Sequence, residues 1–179
     1  TGLKLWSKDT EFDDLEANNP GTITVYNAGG TISLETATSM TRLRGNTSQD
    51  YPKKPFAVKL VDDAPILGMK EHNRWVLLAN WKDKSLIRNH IAFGIAQKFT
   101  ENLDGSIPWN VHGEFVEVVY NGVHIGNYYL CEQIKVDKNR VPDGYVLEID
   151  YRAHEDDGDI FFVSALTQLN FVIKDPEPD

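Results

Sequence analysis

The sequence predicts an α+β domain: a mostly antiparallel sheet with one long helix packed on it. Three observations predict it. Runs alternating in period two, the pattern of a half-buried strand, recur along the chain, among them "TITVYN", "PFAVKLV", "EFVEVVYN" and "GVHIGNYYLCEQI". Asn121-Gly122 joins the last two, and Asn-Gly accommodates the positive φ angles of a two-residue hairpin turn. "DKSLIRNHIAFGIAQKF" is the clearest stretch in helical period, with Ile87, Ile91, Ile95 and Phe99 on one row and Leu86, Ala92 and Ala96 flanking it.

The elements follow in order. After Leu5, "SKDTEFDDLEANNPG" is polar and acidic and reads as an irregular N-terminal segment. "TITVYN" is a strand, "AGG" turns the chain, and "TISLET" returns. "MTRLRGN" and "PFAVKLV" are two further strands, punctuated by Gly45-Asn46 and Tyr51-Pro52. The helix begins near Asp83, which as N-cap accepts from the amide of Ser85 or Leu86. Gly94 inside it costs roughly 1 kcal/mol against alanine, which predicts a close neighbour packed there. "EFVEVVYN", "GVHIGNYYLCEQI", "YVLEID", "DIFFVS" and "NFVIK" complete the strands.

At 179 residues the chain is one domain, 1–179, with room for a core. Lys plus Arg is 18 and Asp plus Glu 27, so the net charge of −9 excludes nucleic acid as a partner of the whole surface. The single Cys131 excludes an internal disulfide and a cysteine-based zinc site. The apolar runs are too short for membrane insertion. No charged-then-apolar leader stands at Thr1, so an export signal is expected to have been removed or left out.

Against this acidic background, "RLRGNTSQDYPKKPFAVKL" places Arg42, Arg44, Lys53, Lys54 and Lys59 within nineteen positions. In "PFAVKL", Phe56, Val58 and Leu60 point one way and Ala57 and Lys59 the other, while Arg42 and Arg44 alternate with Leu43. Two strands with cations on one face either bracket an anionic group or form a solvated face paired to carboxylates. Glu132, ending an apolar strand, is either a rim salt bridge or the partner of a buried cation. With Lys59 or Arg44 opposite, it would hold that cation for a phosphate.

Weaker signals point to turns and core. Asn46-Thr47-Ser48 spells a glycosylation sequon but reads as a turn capped by its own side chains. "VYNAGGTIS" lacks the spacing of a phosphate-binding loop, and "HEDDGDI" lacks that of a calcium loop. His112, His124 and His154 share no metal spacing. Trp75 reads as core, though Trp6, Trp75, Trp81 and Trp109 would make a sugar-stacking platform if exposed. No nucleophile motif is present.

Several stretches in this order, "RLRGNTSQDYPKKPFAVKL", "WVLLANWKDKSLIRNHIA", "FVEVVYNGVHIGNYYLCEQI", "YVLEID" and "FVIKDPEPD", resemble the spore coat protein H (CotH) kinase-like family. The resemblance runs from about residue 42 to 179; residues 1–41 match nothing in it. It implies the N-terminal part of an atypical protein kinase fold. The implied activity is phosphate transfer from ATP, with Mg or another divalent metal, to serine of a protein substrate. Some members of the family are instead surface adhesion proteins, so a non-catalytic adhesion or glycan- and protein-binding module is the alternative. The setting it implies is extracellular, at the cell surface or in the spore coat. Carried over motif by motif, Arg44, Lys54, Lys59 and Glu132 approach the nucleotide, with Lys54 and Lys59 competing for the phosphate-holding role. Arg88 and Asn89 match the family's helix motif. The family's catalytic aspartate and metal-binding acidic motif come in a C-terminal half after "IKDPEPD". The resemblance therefore assigns no catalytic residue to this chain, and the chain alone is expected to be inactive.

Overall fold

A computed structural model of the chain describes residues 5–102, 109–151 and 160–176. Six strands form the main sheet: β1 (Gly21–Tyr26), β2 (Ile32–Leu43), β3 (Phe56–Ile66), β4 (Met69–Leu78), β5 (Gly113–Tyr120) and β6 (Val123–Glu132). Their order is β1-β2-β3-β4-β6-β5, and every neighbouring pair is antiparallel. A second sheet, in order β7-β9-β8, is built from β7 (Val146–Ile149), β8 (Phe161–Val163) and β9 (Asn170–Asp175). Helices α1 (Phe12–Asn18) and α2 (Arg88–Asn102), with a 3-10 turn at Thr47–Asp50, complete the described elements.

Alternation in β3 sets the main core. Phe56, Val58 and Leu60 face one side, and register carries that side through Trp75 and Leu77 of β4 to Leu130 of β6. Trp75 and Leu60 are fully buried, each large apolar side chain stabilising the fold by about 1.5–3 kcal/mol. Trp75 Nε1 donates to the His72 carbonyl at 2.8 Å, so its one polar group is paired inside the core. Val25 and Leu34 join from β1 and β2, and Leu67, Val116 and Val118 close the same cluster from the hairpin tip and the far edge. The sheet thus curls over its own concave face as a half-barrel.

That curl overturns the expected α+β arrangement of a sheet with a helix packed on it, and with it the N-terminal kinase fold that the resemblance implied. The molecule is mostly antiparallel β, and no residue of α2 is buried. The row expected to face the core is open to solvent: Ile91 is 48% and Phe99 57% exposed, and Ile87 and Ile95 lie between these values or close to them. The concave core is filled from both ends by the strands, so a helix is not needed to cover it. Helix α2 sits on the other face and touches it through Phe93, which packs against Val76, Val111, Tyr129 and Cys131. Periodicity identified the helix but not the side that meets the sheet.

Smaller differences have local causes. The helix starts at Arg88, and Asp83 closes the turn ahead of it, accepting from the amides of Ser85 (3.0 Å) and Arg88 (2.9 Å). Gly94 has open space rather than a close neighbour where a Cβ would lie. "TISLET" and "MTRL" are one twelve-residue strand. Strand β4 was not foreseen, because its first half, "MKEHNR", is polar and its turn at Leu67-Gly68 carries no Asn-Gly. Helix α1 falls in the stretch read as irregular; Phe12 and Leu15, one helical turn apart, were its signal. Asn121 and Gly122 do take the positive φ angles of the hairpin turn (49° and 79°).

Candidate functional site

Register decides which charged residues share a face. Arg42 lies opposite Ala57, Ala57 opposite Val76, and Val76 opposite Cys131. Two residues along, Met40, Lys59 and Arg74 form the next row of the same face. Arg42, Lys59 and Arg74 therefore stand together on the convex side. Arg44 continues the alternation past the end of β2, and its guanidinium feels the Cys131 thiol. Burial pulls the Arg44 pKa below its ordinary value and pushes that of Cys131 up to about 12, so the thiol stays protonated. Among the described residues the Arg44 guanidinium has no hydrogen-bond or ion-pair partner.

The other cations are engaged. Lys59 Nζ donates to Asp13 Oδ1 at 2.8 Å and Glu16 Oε2 at 3.5 Å, both on α1. Lys54 Nζ donates to the Gln49 carbonyl at 2.6 Å, within the loop joining β2 and β3. Lys53 Nζ bonds the Asn127 carbonyl and lies 4.5 Å from the centre of the Tyr128 ring. Of the two lysines competing for the phosphate-holding role, Lys59 is on the face that carries Arg42 and Arg74, and Lys54 is held by its own loop.

Glu132 is elsewhere. It lies opposite Trp75, which lies opposite Val58, and so belongs to the concave side. A pair between Glu132 and Lys59 or Arg44 is not formed. The carboxylate instead bonds Nη1 of Arg140 with both side chains almost wholly buried, and its second oxygen accepts from the His112 amide (2.9 Å) and lies 3.1 Å from His112 Nδ1. Arg140 also lies 5.0 Å from the centre of the Trp75 ring. The buried-cation reading of Glu132 holds, with a cation that the sequence did not point to.

A cavity of about 260 Å³ opens beside edge strand β5, lined by His90, Gly94, Gln97, His112, Glu114 and Tyr129 among others. None of the four sequence-nominated residues lines it. Gly113 belongs at its rim because a Cβ there would lie 2.6 Å from the Tyr129 ring and 2.8 Å from the Leu130 carbonyl.

Other expectations resolve as follows. Among the described residues no three of His, Cys, Asp and Glu are grouped to hold a metal. The four tryptophans make no platform: Trp75 is buried, Trp6 packs beside α1, Trp109 packs beside Val111, and Trp81 is exposed. Asn46 makes no side-chain cap to the following 3-10 turn. Most of "HEDDGDI" lies outside the described residues.

A family model described as CotH kinase protein matches residues 41–170. The chain belongs to the CotH kinase family. The match runs from the end of β2 to the start of β9 and takes in Arg44, Lys54, Lys59 and Glu132, whereas α1 and β1 precede it. No curated protein matches the chain. Within the CotH segment sequence reasoning missed Arg74, His112 and Arg140. Arg74 lay on the unforeseen β4, and the Glu132–Arg140 pair is closed by a loop whose path no periodicity reports.

Proposed function

We propose that this chain is the nucleotide-proximal portion of a CotH-type atypical protein kinase, which transfers phosphate from ATP to serine of a protein substrate. The observation that carries the reading is Arg44: a half-buried guanidinium, without a partner among the described residues, on the sheet face that also carries Lys59. Its donors keep access to solvent, and an oxyanion there would exchange water for charge-assisted hydrogen bonds in a partly desolvated position. Lys59 lies about four residues along from Arg44, roughly 13 Å at strand rise, a span suited to a polyphosphate rather than a single phosphate. Glu132 holds Arg140 and orders the strand end; it does not hold the phosphate lysine.

The test is titration of the chain with ATP, followed by backbone amide shifts. Arg44, Lys59 and their neighbours are expected to move, and Arg44→Ala is expected to weaken binding about tenfold. Shifts that avoid β2 and β3, or an Arg44→Ala variant that binds as the wild type does, overturn the reading.

A second reading, a non-catalytic adhesion or glycan- and protein-binding module, is favoured by Tyr145 and Tyr151, which are 67% and 84% exposed. Tyrosine or tryptophan fluorescence quenched by a glycan or partner, and not by ATP, would support it.

A further inference from the structure

The cation face is not left open by the chain's own N-terminal segment. Phe12 and Leu15 are buried against Met40 and Ala57, with Trp6 alongside. The Phe12 ring meets two guanidinium groups, Arg42 at 4.3 Å and Arg74 at 4.6 Å from its centre. Arg42 also donates to the Thr10 carbonyl. Asp13, the residue after Phe12, and Glu16, one turn of α1 further, bring two carboxylates onto Lys59. A stretch of seven residues, Thr10 to Glu16, thereby contacts three of the four cations on the face, Arg42, Lys59 and Arg74, and leaves Arg44 uncontacted.

We propose that α1 is an acidic strap that occupies the phosphate-binding face in cis, with Asp13 and Glu16 standing where phosphate oxygens would stand on Lys59. This rests on the phosphate reading above. Two features make the strap displaceable. The carboxylates are open to water, 92% exposed for Asp13 and 41% for Glu16, so each ion pair is weak. The anchor is apolar and separate: Phe12 and Leu15 keep the helix on the sheet whichever anion Lys59 holds. A polyphosphate, with more charge than either carboxylate, takes the ammonium by a side-chain exchange that needs no unfolding. The strap lies before the segment that the CotH family shares, so it adds control to the site rather than forming part of it.

ATP affinity measured by calorimetry on four proteins tests this: wild type, Asp13→Asn with Glu16→Gln, Lys59→Met, and all three substitutions together. Thermal unfolding checks that each is folded. Removing both carboxylates is expected to raise ATP affinity about three- to tenfold, and the gain is expected to vanish when Lys59 is methionine. A gain that persists without Lys59 is a general effect of lowered negative charge and overturns the strap. No gain, with wild-type binding that Arg44→Ala still weakens, overturns the strap and leaves the phosphate reading standing. No ATP binding by any of the four overturns both.

Discussion

Glu132 and Lys59 stand on opposite faces of one sheet. Glu132 is opposite Trp75 and Trp75 opposite Val58, while Lys59 is the next residue along β3 and therefore turns the other way. Each carries its own counter-charge: Arg140 inside the concave core, and Asp13 with Glu16 on the convex side. The two pairs differ in what they do. The first is buried and structural; the second is wet and exchangeable.

Removing one member of the buried pair strands the other. Glu132→Leu is expected to destabilise the chain by about 3–5 kcal/mol, because the Arg140 charge stays buried and the His112 amide loses its acceptor. Adding Arg140→Met should recover more than half of that loss, since no charge then remains to be desolvated. Urea unfolding midpoints check both. A single variant costing under about 1 kcal/mol would show that the pair is not the buried contact described.

The exposed pair has a pH signature. The hydrogen bond from Lys59 and then its charge hold Asp13 below the ordinary carboxyl value of 3.8; Arg74 helps, and slight desolvation opposes. Glu16 is the other acid facing the ammonium. A lowered folded pKa means the stabilisation is present above the unfolded value and is lost as pH falls through the folded one. The Asp13 carboxyl carbon, followed by NMR, should titrate below 3.8, and in Lys59→Met its midpoint should rise toward that value. An unchanged midpoint in the variant would detach Asp13 from Lys59.

Exposure on α2 gives a prediction opposite to the one its periodicity suggests. Ile91→Glu with Ile95→Glu should change stability by less than about 0.5 kcal/mol per site, since neither side chain enters the core. Phe93→Ala, on the side that meets Val76 and Tyr129, should cost at least about 1 kcal/mol. Thermal unfolding of the two variants decides; the reverse ranking would put the isoleucine row against the sheet.

The sequence by itself determined the strands of strict alternation, the Asn121-Gly122 hairpin, the buried Trp75 and the gathering of cations between Arg42 and Lys59. Each is a local property: side-chain alternation, permitted φ angles, apolar mass and charge within a few residues. The match over residues 41–170 rests on such segments. Only the tertiary structure decided what each charge meets. Asp13 and Lys59 are 46 residues apart in the chain and Glu132 and Arg140 are joined through a loop, so sequence spacing carries no record of either pair. The face that α2 turns to the sheet was likewise decided by the curl of the half-barrel, which filled the concave core with strand residues and left the helix's most regular apolar row outside it.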